Sequence, residues 1–86
     1  MYKIQIVKSA HKALLKIPSD IRKKIADAIN KLAFNPHPDG SKKLKGSQFY
    51  RIRAGDYRII YTIEENILTI LVVRIGTEKK FIKSKW

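Results

Sequence analysis

Three arginines, Arg51, Arg53 and Arg58, fall within the run YRIRAGDYRIIY. Gly55-Asp56 splits that run into two alternating halves, and a glycine-containing pair between β-branched and aromatic residues is the composition of a two-residue hairpin turn. With those two residues as the turn, Ala54 pairs with Tyr57, Arg53 with Arg58, Ile52 with Ile59, Arg51 with Ile60 and Tyr50 with Tyr61. Alternation sends Tyr50, Ile52, Ile59 and Tyr61 to one face, read as the core, and Arg51, Arg53 and Arg58 to the other. Like charges directly opposite one another on a sheet cost from some tenths to about 1 kcal/mol. A surface that gathers three guanidinium groups despite that cost suits an anion, because the planar fork of arginine meets two phosphate oxygens at once. The competing reading is a solvated charged face on an exposed sheet. Lys42, Lys43 and Lys45 enter the same neighbourhood, so residues 42–58 hold six positive charges against Asp56 alone.

Arg74 is a lone charge in the apolar run ILTILVVRI and needs a partner or an open face. A two-residue turn at Glu65-Asn66 places it opposite Tyr57, towards the core; a three-residue turn over Glu64–Asn66 places it among the arginines. Other catalytic sets are hard to build. His11 falls in a helical pattern and His37 between two prolines, neither with a spaced acid or hydroxyl, so both read as surface residues. Glu64-Glu65 reads as turn chemistry. No glycine-rich phosphate loop and no metal-ligand spacing occurs, so no metal or other cofactor is expected. An enzyme built from these residues would work mainly by stabilising charge on a phosphate.

The elements that hold these groups follow from pattern. Residues 2–7 alternate, with Tyr2, Ile4 and Ile6 on one face, and predict a half-buried strand. Ser9 is a candidate N-cap for a short helix whose stripe is Ala10, Ala13, Leu14 and Ile17; Pro18 ends it. Ser19 and Asp20 can cap a second helix, with Ile21, Ile25, Ala28, Ile29 and Leu32 inward, closed by Asn35-Pro36. A loop over 35–47 precedes three strands, Phe49–Ala54, Tyr57–Glu64 and Ile67–Ile75. The last is nearly all apolar and is expected at the centre of the sheet. The reading is an α+β fold, β-α-α-β-β-β, with a helical hairpin on one face of an antiparallel sheet and the other face open.

Composition bounds the partners. The chain has 86 residues, with 19 Lys+Arg and 7 Asp+Glu, a formal charge of +12, and no cysteine. That length allows one domain, 1–86. Such a charge is the usual footprint of nucleic-acid binding, and an acidic protein would satisfy the same field. The absence of cysteine excludes disulfide scaffolds, thiolate metal sites and thiol nucleophiles. The N-terminus alternates where a signal peptide would carry an apolar run, and no run reaches membrane-spanning length; a cytoplasmic location is expected.

The helical hairpin with its PSDIRKK turn, and the run KKLKGSQFYRIRAGDYRIIYTIEENILTILVVRIG, resemble the RelE/ParE superfamily of toxin–antitoxin toxins over essentially the whole chain. The resemblance implies a RelE-like fold and, in the RelE-like branch, a ribosome-dependent mRNA interferase. There the message's own 2′-hydroxyl attacks the adjacent phosphate in the ribosomal A site and leaves a 2′,3′-cyclic end. Arg51, Arg53 and Arg58 occupy the places of that branch's phosphate-holding basic residues and are its catalytic candidates. Lys42, Lys43, Lys45, Lys79 and Lys80 are candidate RNA contacts. The sequence departs from the branch beyond Gly76, with Glu78 where an arginine is common and Phe81 near the place of a tyrosine. The alternative within the superfamily is a ParE-like toxin that binds and inhibits DNA gyrase without cutting nucleic acid. Either way the implied partner is an acidic antitoxin that wraps the domain.

Overall fold

The computed structural model describes residues 1–77. The alternating N-terminus forms strand β1 (Lys3–Ile6) and passes directly into helix α1 (Lys8–Leu15). Val7 makes the join: its N–H donates to the Val72 carbonyl at 3.0 Å, and its own carbonyl accepts the His11 N–H at 2.9 Å. The helix therefore begins one residue before the expected cap, and Ser9 lies inside its first turn. Helix α2 (Ser19–Leu32) likewise starts from Pro18, whose carbonyl accepts the Arg22 N–H, so Ser19 and Asp20 are helical residues and not caps. Proline suits this boundary because its fixed φ starts the turn and it has no N–H to leave unpaired.

After α2 the chain runs through a short strand β2 (Lys42–Lys43), then β3 (Tyr50–Ala54), β4 (Tyr57–Glu64) and β5 (Thr69–Thr77). The five strands lie in the order β1-β5-β4-β3-β2. The sheet is mixed: β1 runs parallel to β5, while the other pairs are antiparallel. The helical pair carries the chain away from the sheet after β1, as a parallel neighbour requires. β4, not the apolar β5, is the middle strand, and β5 lies inside between β1 and β4.

Both helices pack on one face. Ala10 and Leu14 from α1, Ile17 from the turn that follows it, and Ile25, Ile29 and Leu32 from α2 meet Ile52, Ile59, Tyr61, Ile70, Val72 and Ile75 of the sheet. Ile25, Leu32, Ile59, Tyr61, Ile70 and Val72 are fully buried. Among the described residues no helix is long and apolar enough to cross a membrane.

Candidate nucleic-acid interface

The β3–β4 hairpin has the register expected from its turn: Ala54 opposite Tyr57, Arg53 opposite Arg58, Ile52 opposite Ile59, Arg51 opposite Ile60 and Tyr50 opposite Tyr61. Gly55 takes φ 61° at the first turn position, where a side chain would be strained. Tyr50, Ile52, Ile59 and Tyr61 face the helices, and Arg51, Arg53 and Arg58 share the opposite face.

Arg74 joins them. Residues 65–68 connect β4 to β5, and Glu64 pairs with Thr69 across the connection. Continued without interruption, that register would set Arg74 opposite Ile59 and turn it inward. A bulge intervenes: Tyr61 pairs with Val72 but Ile60 with Arg74, so Val73 is the extra residue. One inserted residue reverses the face of all that follows. Two rows result, Lys42–Arg51–Ile60–Arg74 and Arg53–Arg58–Gly76. With strands about 4.8 Å apart, Arg51 and Arg74 stand about 10 Å apart across Ile60.

This face has an apolar floor and is less bare than alternation alone suggests. Ile60 is 2% exposed, and Thr62 and Thr69, on the same face, are buried. Arg53 is exposed, whereas Arg51, Arg58 and Arg74 are half-buried. The Nε atoms of Arg51 and Arg58 are shut off from solvent. Partial desolvation strengthens the attraction of each guanidinium for an anion, because fewer water dipoles screen it. Among the described strand residues the carboxylate on this face is Glu64, four residues along β4 from Ile60 and about 13 Å away. Among the described residues no group of three His, Cys, Asp or Glu could hold a metal ion.

The loop lysines divide between the two faces. Lys42 stands in the Arg51 row, but Lys43 pairs with Tyr50 and belongs to the helix-bearing side. Lys45 is exposed in the turn between β2 and β3. Lys79 and Lys80, like Glu78 and Phe81, lie outside the described residues. His11 is exposed on α1, as a surface residue should be. His37 is exposed too, yet its ring meets Tyr50 edge-on, with centroids 5.1 Å apart at 71°. Tyr50 in turn stacks on Tyr61 at 5.8 Å and 25°. The Tyr61 hydroxyl donates to the Pro36 carbonyl at 2.7 Å. Burial pushes the Tyr61 phenol up to about 12, against an opposing hydrogen bond from Ser41, with Tyr50 adding to the rise. At this end of the sheet, Tyr2 donates its hydroxyl proton to Glu65 Oε1 at 2.6 Å, and that bond raises the Tyr2 pKa above its ordinary value.

Comparison with known proteins gives a consistent lineage. The model of the ParE toxin of the type II toxin–antitoxin system, parDE, matches residues 4–80. No curated protein matches the sequence. Among solved structures, the archaeal RelE–RelB complex of Pyrococcus horikoshii OT3 superposes with a TM-score of 0.79 at 28% identity, covering 88% of this chain and 93% of that one. The RelB–RelE antitoxin–toxin complex of Methanococcus jannaschii gives 0.76 at 28% identity, covering 95% and 99%. The isolated E. coli RelE toxin gives 0.79 at 21% identity, covering 90% and 84%, which is a likeness of fold.

Proposed function

This chain belongs to the ParE toxin family of type II toxin–antitoxin systems, and from that premise we propose that it acts as a ribosome-dependent mRNA endoribonuclease. The observation that carries the reading is the convergence of Arg51, Arg53, Arg58 and Arg74 on one sheet face with Lys42 at its edge. The likeness to RelE structures supports it.

In this reading the RNA backbone lies across the two rows. The message's 2′-hydroxyl gives up its proton to solvent as its oxygen forms a bond to the adjacent phosphorus. The bond to the 5′-oxygen breaks and that oxygen takes up a proton from solvent, and the products are a 2′,3′-cyclic phosphate and a 5′-hydroxyl. Negative charge grows on the non-bridging oxygens and on the leaving oxygen in the transition state. Fixed guanidinium donors stabilise that charge without reorganising, which is the strongest contribution such a face can make. Arg51 and Arg58, held half-buried, suit the phosphate itself, while exposed Arg53 and Lys42 suit its neighbours along the backbone. The arginines bind and stabilise charge; the RNA supplies the nucleophile.

The partner that restrains this activity is an antitoxin. Complexes of RelE with RelB among the structural relatives support it, as does the +12 charge. A groove of about 620 Å³ between α2 and β3, where Lys24, Lys31 and Arg53 outnumber Asp27 and Asp39 around Ile52 and Ala54, fits a segment with apolar anchors and a modest excess of acidic groups.

The ParE family match favours a second reading, inhibition of DNA gyrase by binding. The deciding experiment programs ribosomes with a defined mRNA, adds the purified protein and maps the message by primer extension. Stops within codons that vanish for Arg51→Ala and Arg58→Ala are expected. Intact message together with blocked gyrase supercoiling would transfer the assignment to the second reading.

A further inference from the structure

A cavity of about 350 Å³ opens on the helix-bearing side of the sheet, at the end away from the Gly55-Asp56 turn. Tyr2, His37, Lys43, Tyr50, Ile63 and Glu65 are among the residues that line it. We propose that this cavity receives one base of the RNA held on the arginine face, and that it favours guanine. The proposal deepens the nuclease reading and rests on it.

Three features of the cavity suit a nucleobase. The first is volume: a space at the lower end of the usual ligand range admits a single base and not a folded peptide. The second is a fixed aromatic wall. The His37 ring stands at 71° to Tyr50, and the segment carrying it is tied down twice, by the Tyr61–Pro36 hydrogen bond and by the His37 N–H donating to Asn35 Oδ1 at 3.1 Å. Unstacked RNA bases are held on such aromatic faces. The third is an oriented acceptor. The Tyr2 hydroxyl uses one lone pair of Glu65 Oε1, and a carboxylate has about four. The remaining pairs accept N–H donors, and guanine alone among the four bases offers two adjacent ones, N1–H and N2–H, on its pairing edge. A carboxylate repels phosphate, so the acidic wall favours the base over the backbone in this cavity.

The route from the arginine face is short. Lys42 and Lys43 are consecutive residues of β2, so their side chains alternate across the sheet edge. One stands in the Arg51 row and the other lines the cavity. An RNA strand following these cations passes round the edge strand from one face to the other.

The test titrates the full-length protein with guanosine, adenosine and uridine 5′-monophosphates and follows backbone amide shifts. GMP should move the amides of Tyr2, His37, Tyr50 and Glu65 and bind about tenfold more tightly than AMP or UMP. Glu65→Gln should abolish that preference, and Tyr2→Phe should weaken it. The preference should survive in the Arg51→Ala/Arg53→Ala/Arg58→Ala variant, which separates this site from the arginine face. Equal shifts from all three nucleotides, or a guanine preference unchanged by Glu65→Gln, would overturn the proposal. Loss of the preference in the triple-arginine variant would also overturn it, since recognition would then belong to the other face.

Discussion

Replacing Arg53 by threonine should raise stability and lower RNA affinity together. Arg53 lies directly opposite Arg58 in the β3–β4 ladder and is exposed, so its removal relieves repulsion and sacrifices little packing. Like charges in that position cost from a few tenths to about 1 kcal/mol, and threonine keeps the β-branched character the strand prefers. In a domain of this size 1 kcal/mol moves the melting temperature by about 4–8 °C, so a rise of about 1–8 °C is expected. Thermal unfolding followed by circular dichroism in 0.02 M and 1 M salt measures it. The screening length falls to about 3 Å at 1 M, so most of the gain should disappear there. In the same variant, the slope of log affinity against log salt for single-stranded RNA should fall by about 0.7, the loss of one phosphate contact. A melting temperature lowered by several degrees, or a gain that persists in 1 M salt, would refute the reasoning that function holds these two cations together against their repulsion.

Other perturbations test the supports of the site. Tyr61→Phe removes the bond to the Pro36 carbonyl and should cost about 1 kcal/mol in urea unfolding, with loss of order in the 35–41 segment by hydrogen exchange. The raised Tyr61 pKa favours the protonated phenol in the folded state. Its stabilisation is therefore complete below pH 10 and is lost as pH rises through about 12; unfolding midpoints from pH 9 to 12 should fall more steeply for wild type than for Tyr61→Phe. Leu68 adopts φ 47°, ψ 52° and is exposed, so Leu68→Gly should be neutral to about 1 kcal/mol stabilising, while Leu68→Val should destabilise; denaturant midpoints distinguish them.

The hairpin was legible in the sequence because a two-residue turn leaves a single register, and that register fixes which arginines share a face. The face of Arg74 was not legible. It depends on an extra residue at Val73, and a bulge at the second of two adjacent valines leaves no mark in composition or alternation. The parallel pairing of β1 with β5 joins segments more than sixty residues apart, which no local pattern encodes. The helix starts moved earlier, α1 by two residues and α2 by one, because the bond from Val7 to Val72 and the geometry of Pro18 outweighed the side-chain caps at Ser9 and Ser19. His37 looked like an ordinary loop residue between prolines, since its meaning comes from Tyr50 and Tyr61 on distant strands. The separation of Lys42 from Lys43 could have been read from strand alternation, had the two-residue strand they form been recognised within the loop.

Counting the ions released when RNA binds tests the arginine face most directly. Affinity for a short single-stranded RNA is measured by fluorescence anisotropy across a salt series, for wild type and for Arg51→Ala/Arg53→Ala/Arg58→Ala. The variant's slope should be shallower by about 2, three contacts at about 0.7 each, with the fold intact by circular dichroism. An unchanged slope in a folded variant would mean that the phosphates lie elsewhere on the protein.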